Sequence, residues 1–243
     1  MSAPIIGGIS VKNWPASNLQ PDSRFLEFLS FGKTKSMKLL NVGCGGVRPP
    51  EPWINLDALH QHLAPGTPER TQLDSEKNYV DWHLFNHGWM PFDEEMFDGI
   101  LCSHVIEHFD CHSAVRILTD CRRMLKPGGL LVVSVPDADY FLSVHDRDTP
   151  ENAVELFGEP IHDKWQPTFM AYALLHREHL QLLTAGSLEC LLLAAGFDQI
   201  WDFQERFPRT HLRIEDERCI EIEKVMNRRK FSLEMCAIKS SAS

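Results

Sequence analysis

The stretch Lys38-Leu39-Leu40-Asn41-Val42-Gly43-Cys44-Gly45-Gly46, followed by Trp53-Ile54-Asn55-Leu56-Asp57, decides the fold of this chain. Each apolar run has the length of one buried strand, and the first run ends in a turn of small residues. Glycine in such a turn lets the backbone approach a ligand closely. A carboxylate at the tip of the next strand can accept two hydrogen bonds from a ribose diol. The pattern therefore indicates a nucleoside-containing cofactor at the carboxyl edge of a parallel sheet.

Strand-like and helix-like runs alternate downstream of this stretch. Unbroken apolar runs, typical of strands covered on both faces, recur at 97–102 and 130–135. Between them, residues 113–125 have helical apolar spacing and basic residues near the end, and Pro127-Gly128-Gly129 is the expected stop. This rhythm predicts a parallel sheet with right-handed crossovers. Later candidates are a helix at 187–195 and strands at 200–205 and 231–239.

Composition bounds the class of protein and its partners. The chain has 243 residues, a formal net charge of -10 and 43% hydrophobic content, as expected for one globular domain. Net negative charge argues against a large phosphate-binding surface, so we expect no nucleic-acid partner. No segment approaches the roughly 20 uninterrupted apolar residues of a membrane helix, so we expect no membrane partner.

Cysteine usage indicates a reducing compartment. The seven cysteines are an odd number, lie far apart and form no CxxC pair, which argues against a zinc knuckle. Several stand in apolar runs, where a free cysteine behaves as a small hydrophobe. Residues 1–11 lack the basic and then apolar pattern of a signal peptide. The sequence therefore predicts a cytoplasmic protein.

The glycine spacing bears on which nucleoside cofactor is bound. Enzymes that bind NAD usually carry G-x-G-x-x-G, but here Arg48 and then Pro49-Pro50 follow the Gly-x-Gly-Gly turn. The glycine spacing therefore argues against an NAD-dependent oxidoreductase.

Five segments resemble a known family, the class I S-adenosylmethionine-dependent methyltransferases, and among them the methyltransferase type 11 group. They are Asn41-Val42-Gly43-Cys44-Gly45, Asn55-Leu56-Asp57, Met90-Pro91-Phe92 with Phe97-Asp98, Ser103-His104-Val105-Ile106-Glu107-His108-Phe109, and Leu125-Lys126-Pro127-Gly128-Gly129. Their order and spacing agree with the family over roughly residues 37–140, with a weaker echo at 176–239.

The resemblance implies a fold and a domain layout. The expected fold is α/β, a Rossmann-like, seven-stranded, mostly parallel sheet with helices on both faces. We expect an N-terminal arm and helix at 1–36, the methyltransferase domain at 37–239, and a lid-like insertion at about 137–178. Histidines and aromatic residues in or near this insertion could line a substrate pocket: His145, His162, His176, His179, Tyr140, Trp165, Phe169 and Tyr172.

The resemblance also implies a set of residues that bind S-adenosylmethionine. The backbone at Gly43, Cys44 and Gly45, in the motif that begins at Asn41, would pass under the methionine moiety. Asp57 would hold the ribose hydroxyls, although an aspartate there could also form a turn or cap a helix.

The remaining cofactor contacts are less well matched. In the family, an acidic residue that contacts adenine often stands four residues before a Leu-Pro-Phe segment. Met90-Pro91-Phe92 matches that segment here, and Asn86-His87 occupy the position of the acidic residue. The amide oxygen of Asn86 can still accept from an adenine amino group, with Asp81 as its competitor. Ser103 and His104 would flank the other side of the cofactor.

His104, Glu107 and His108 stand at i, i+3 and i+4, so if this segment is helical they share one face. Two imidazoles and a carboxylate could hold a divalent metal, and some members of the resembling family bind one near this segment. We favour the alternative in which Glu107 caps the following helix and His108 packs locally, so no metal is predicted.

His108 is the candidate catalytic residue. An imidazole with its ordinary pKa of about 6.5 can take a proton from a hydroxyl or an amine. A dedicated base is not obligatory, because positioning and desolvation can be sufficient for methyl transfer.

The sequence therefore predicts methyl transfer from S-adenosylmethionine to the oxygen or nitrogen of a small molecule. The second interpretation is a non-catalytic protein of the same fold that serves as a binding or regulatory subunit.

Overall fold

The computed structural model of the chain describes residues 37–85, 88–147, 149, 151–157, 179–203, 216–226 and 231–240. The predicted N-terminal arm and helix, and Asn86 and His87, fall outside the described residues. So do residues 158–178 of the predicted insertion, and the domain layout stays a prediction.

One seven-stranded sheet organises the described residues. In chain order the strands are β1 (Leu39–Val42), β2 (Trp53–Asp57), β3 (Tyr79–Asp81), β4 (Phe97–Ser103), β5 (Leu125–Pro136), β6 (Gln199–Asp202) and β7 (Ser232–Ile238). They lie side by side in the order β3-β2-β1-β4-β5-β7-β6. Neighbours from β3 to β5 are parallel, and β7 is antiparallel to β5 and β6. The predicted Rossmann-like, mostly parallel α/β fold is confirmed.

Six α-helices and two short 3-10 turns connect these strands in the part of the chain that the structure describes. The helices are α1 (Pro68–Ser75), α2 (Cys111–Met124), α3 (Ala138–Ser143), α4 (Ala153–Phe157), α5 (Ala185–Ala194) and α6 (Glu217–Val225), and the 3-10 turns are Leu59–Gln61 and Ile106–His108. The side chain of Asp110 caps α2 by accepting from the Ser113 amide at 2.9 Å. In α5, Thr184 and Ser187 form a reciprocal capping box.

Helices cover both faces of the sheet because successive strand residues point to opposite sides. Leu40 belongs to the main core, together with Leu118 of α2 and Leu192 of α5. Fully burying a side chain of this size contributes about 1.5–3 kcal/mol. On the opposite face, Ile222 of α6 packs closely over Gly99 of β4. A Cβ added to Gly99 would lie 2.9 Å from Leu39 Cδ2 and 3.5 Å from Ile222 Cδ1.

β5 begins five residues earlier than the apolar run predicts. Helix α2 ends at Met124, and the predicted stop, 127–129, lies inside the strand as an irregular stretch opposite β4. Gly128 has φ of 74°, and its amide donates to the Lys239 carbonyl at 2.7 Å, while the Lys239 amide donates to Gly129 at 3.0 Å. Pairing with the end of the chain thus extends the strand through residues that locally favour a turn.

The sequence analysis did not identify β3, α1, α3, α4 or α6. β3 has only three residues, too few to show alternation, and α1 is mostly polar with Leu73 as its one buried residue. No helix among the described residues has the length and apolarity that crossing a membrane requires.

Candidate functional site

The glycine turn after β1 is shaped by tight backbone contacts. The Gly43 amide donates to the Leu56 carbonyl at 2.8 Å, and the Gly43 φ of 66° lies in the left-handed region. A Cβ at this position would lie 2.3 Å from Cγ2 of Val105, just past β4. Glycine is therefore required here both by backbone conformation and by the space that Val105 leaves.

Asp57, the last residue of β2, is bound to the same turn. Its Oδ2 accepts from the Gly45 amide at 2.7 Å and its Oδ1 from the Ala58 amide at 2.7 Å. An ionised carboxylate can accept about four hydrogen bonds, so two positions stay available to a ligand. Asp57 is therefore held in one orientation without losing its capacity to bind a diol.

Asn41 and Cys44 support the turn from inside the protein. Asn41 is buried, and its side-chain amide donates to the Val47 carbonyl at 2.9 Å. Burial raises the pKa of the Cys44 thiol to about 12. Of the four predicted residues in this motif, only Gly43 lines the cleft described next.

Arg48 connects the far end of the turn to Glu76, the residue that directly follows helix α1. Its guanidinium donates to both carboxylate oxygens of Glu76, at 2.8 and 3.1 Å, and to the Gly45 carbonyl at 3.0 Å. The hydrogen bonds to Glu76 raise the pKa of Arg48. The sequence analysis used Arg48 only as an interruption of the glycine pattern.

A cleft of about 220 Å³ opens at the carboxyl edge of β1, β2 and β4. It is lined by Gly43, Asp57-Ala58, His62, residues 82–85, His104-Val105 and His108-Phe109. The rings of Phe85 and Phe109 stack in its wall, with centroids 4.0 Å apart and an angle of 20° between their planes. The cleft thus joins the predicted ribose carboxylate, two predicted histidines and an aromatic surface.

Ser103 is the last residue of β4, and His104 follows it directly, but the two side chains have different surroundings. The Ser103 hydroxyl is buried and has no hydrogen-bond partner among the described residues. His104 has φ of 55°, strained for a residue other than glycine. Its Nε2 lies 3.1 Å from the Ser232 hydroxyl, and its Nδ1 lies 3.2 Å from Oε1 of Glu107.

The prediction that Glu107 caps the next helix is wrong, because Asp110 makes that cap. His104, Glu107 and His108 also do not share the face of an α-helix, because Ile106–His108 form a single 3-10 turn and His104 lies before it. Glu107 is fully buried, and neither of its carboxylate oxygens has a hydrogen-bond partner among the residues that the structure describes.

His108 contacts a residue from a remote segment. Its ring lies 4.6 Å from that of His179, nearly perpendicular to it. The amides of Leu180 and Gln181 donate to the Glu107 carbonyl at 2.8 and 3.1 Å, which fixes this segment beside the 3-10 turn. The sequence analysis offered His179 only as one of eight possible pocket residues.

The adenine candidates cannot be compared directly, since Asn86 and His87 lie outside the described residues. Their competitor Asp81 does not line the cleft. Its Oδ1 accepts from the His60 amide and from the Tyr79 hydroxyl, each at 3.1 Å.

Comparison with known proteins relates this chain to methyltransferases. Residues 40–133 match a family model described as a methyltransferase domain. A ubiquinone biosynthesis O-methyltransferase of Cereibacter sphaeroides is 33% identical over 170 residues, and one of Dinoroseobacter shibae is 26% identical. Each match covers 68% of this chain but 62% of the relative, so the chain spans about three fifths of the length of these curated relatives.

Among solved structures, a SAM-dependent methyltransferase from Methanosarcina mazei overlays with a TM-score of 0.48 at 14% identity. That overlay covers 93% of this chain and 100% of the other.

Proposed function

We propose, from the premise that this chain belongs to the class I S-adenosylmethionine-dependent methyltransferases, that it transfers a methyl group to a hydroxyl oxygen of a small molecule. The observation that carries the proposal is the single cleft whose wall contains Gly43, Asp57, His104 and His108. Oxygen is favoured over nitrogen because the relatives in the comparison are named O-methyltransferases.

The residues present fit the methyl donor. The bare backbone at Gly43 leaves room that a side chain would fill, and Asp57 keeps acceptor capacity for the ribose hydroxyls. When bound, the donor supplies a methyl carbon on a sulfonium, where the acceptor oxygen forms a bond as the carbon–sulfur bond breaks and its electron pair returns to sulfur.

The chain's own side chains would position the acceptor and remove its proton. The exposed Phe85 ring, stacked on the buried Phe109, offers a flat apolar surface that suits an aromatic or otherwise planar acceptor. His108 lies in the same wall and has a ring nitrogen that can accept the hydroxyl proton. In the proposed cofactor site, the glycine turn is shaped by Asn41, Cys44 and Gly45. The other side of the cofactor is flanked by Ser103 and His104.

Titration calorimetry with S-adenosylhomocysteine tests the cofactor assignment. Asp57→Ala removes charge-assisted hydrogen bonds and is expected to weaken binding by roughly 1–3 kcal/mol. Asp198→Ala, at an exposed carboxylate that accepts from Ser240 beside the distant β6 edge, is the matched control and should bind like the parent. Equal affinity of Asp57→Ala and the parent would show that the ribose assignment is wrong.

Turnover separates the enzyme from the alternative binding or regulatory protein. The parent is incubated with labelled S-adenosylmethionine and a panel of hydroxylated aromatic molecules, and methylated products are measured. Cofactor binding without transfer to any acceptor would favour the non-catalytic alternative.

A further inference from the structure

A tyrosine that the proposed function does not use lies behind two residues of the cleft. Tyr79 is the first residue of β3, and its side chain is half-buried. In the register of β2 and β3, Tyr79 pairs with Asn55 and Asp81 pairs with Asp57. Residues two apart in a strand point to the same face, so the side chains of Tyr79, Asp81 and Asp57 share one face of the sheet.

The Tyr79 hydroxyl connects the end of β2 to the turn that follows it. It donates to the Asp57 carbonyl at 2.7 Å and accepts from the Leu59 amide at 3.0 Å. Oδ1 of Asp81 lies 3.1 Å from the same hydroxyl and is a second acceptor. A hydroxyl has one proton, which these two acceptors share, and the shorter contact is the one to Asp57.

This hydroxyl keeps its proton over the pH range in which most proteins work. Burial raises the pKa of Tyr79 well above its ordinary value, and the neighbouring Asp81 carboxylate raises the pKa further. The Tyr79 hydroxyl is therefore a permanent donor for the end of β2.

One peptide unit connects Tyr79 to the Asp57 side chain. The carbonyl of Asp57 and the amide of Ala58 belong to the same planar unit, so their directions cannot change independently. The carbonyl accepts from two donors, the Tyr79 hydroxyl and the Trp82 amide at 2.8 Å. The Ala58 amide, on the other side of the unit, donates to Oδ1 of Asp57 at 2.7 Å. Fixing the carbonyl therefore fixes the donor that orients the carboxylate.

The orientation of this carboxylate decides how well it can bind a diol. Oδ2 of Asp57 accepts from the Gly45 amide at 2.7 Å, so each carboxylate oxygen has one backbone donor. One further acceptor position is left on each oxygen, and two neighbouring hydroxyls need both positions at once. A tilt of the peptide unit would move Oδ1 together with its Ala58 donor and would misplace one of the two positions.

We propose that Tyr79 is a positioning residue, which orients the Asp57 carboxylate through the peptide unit between Asp57 and Ala58 and so makes the cleft select ligands with an intact ribose diol. The inference rests on the proposed function only in that Asp57 binds the ribose hydroxyls. Tyr79 itself would not touch the cofactor, because it does not line the cleft.

A ligand that lacks the diol separates positioning from structural support. Titration calorimetry on the full chain measures the binding of S-adenosylhomocysteine and of the analogue without both ribose hydroxyls. The ratio of the two dissociation constants is the preference for the diol. Tyr79→Phe removes only the hydroxyl, and it should weaken S-adenosylhomocysteine binding on the order of tenfold but analogue binding by less than about threefold. The preference should therefore fall.

Thr119→Val is the matched control. It also removes a hydroxyl that donates to a backbone carbonyl, that of Val115 at 2.8 Å, and Thr119 lies in α2 and does not line the cleft. Both affinities should equal those of the parent. A urea melt of each variant checks folding, and the preference is a ratio measured on one preparation, so it does not depend on the fraction of folded protein.

The outcomes distinguish this inference from the proposed function. If Tyr79→Phe weakens the binding of both ligands equally, or of neither, the hydroxyl does not act on the diol and the inference is overturned. A Tyr79→Phe variant that does not fold would show that the hydroxyl supports the fold itself, which also overturns it. Asp57→Ala should abolish the preference, and a preference that persists in Asp57→Ala overturns the ribose assignment of the proposed function instead.

Discussion

The two walls of the cleft are built in opposite ways. The wall formed by the glycine turn and Asp57 comes from residues 41–57, and the polar groups that shape it are satisfied by near neighbours in the chain. The opposite wall, here called the histidine wall, is formed by His104 and His108, and these contact Ser232 and His179 from two distant segments. His104 has a strained backbone, and the carboxylate of Glu107 is buried behind this wall without a hydrogen-bond partner among the described residues.

This difference suggests a division of work. A locally satisfied wall suits the cofactor portion that is the same in every turnover, because it stays rigid without a ligand. Strain and unmet polar groups concentrate at functional sites, where a ligand can satisfy them. We therefore expect variants of the first wall to affect stability and cofactor affinity, and variants of the second to affect the rate of methyl transfer.

Gly43→Ala should have the largest effect, because Gly43 is where the two walls touch. The added Cβ would meet Val105 and would occupy a left-handed backbone conformation. We expect a loss of roughly 2–5 kcal/mol in the free energy of unfolding, the sum of overpacking and backbone strain. The measurement is a urea melt with Gly46→Ala as control, since nothing lies within 4 Å of a Cβ at Gly46. Equal stability of the two variants would mean that the walls are loosely packed against each other.

Arg48→Ala should have an intermediate effect confined to the glycine-turn wall. It removes two hydrogen bonds to Glu76 and one to the Gly45 carbonyl, so we expect a loss of about 1–3 kcal/mol in the free energy of unfolding. Arg147→Ala breaks the exposed ion pair with Glu155 and should cost about 0–1 kcal/mol. The Michaelis constant for the acceptor should be the same in Arg48→Ala as in the parent, and a large increase would contradict the separation of the two walls.

Thiol reactivity gives the smallest and most local contrast. Cys44 is buried in the glycine turn, and burial raises the pKa of its thiol to about 12, so almost no thiolate forms at pH 8. Cys111, beside the histidine wall, and Cys190 are exposed. We expect two of the seven cysteines to react rapidly with an aromatic disulfide reagent, identified by peptide mass, and all seven to react in denaturant. Rapid labelling of Cys44 would show that the turn opens in solution.

Much of the sheet could be predicted because its central strands are buried on both faces. The runs at β1, β2, β4 and β5 are therefore nearly continuous in apolar residues, and the observed strands agree with them to within a few residues except at the start of β5. That start pairs with Phe97 of β4, and the residues after it are held by hydrogen bonds to Lys239, over a hundred residues away, which no local pattern records.

The sequence by itself predicted the glycine turn and Asp57, the side of the site that we propose binds the cofactor. A strand end, a glycine that must adopt positive φ, and an aspartate twelve residues beyond Gly45 are all local features, and local features persist in the linear pattern. The tertiary structure alone decided the other side. Glu107 and His108 meet His179 because the backbone of 180–181 binds the Glu107 carbonyl, and main-chain hydrogen bonds of this kind require no particular side chain. The contact between these residues therefore could not be predicted from the sequence pattern.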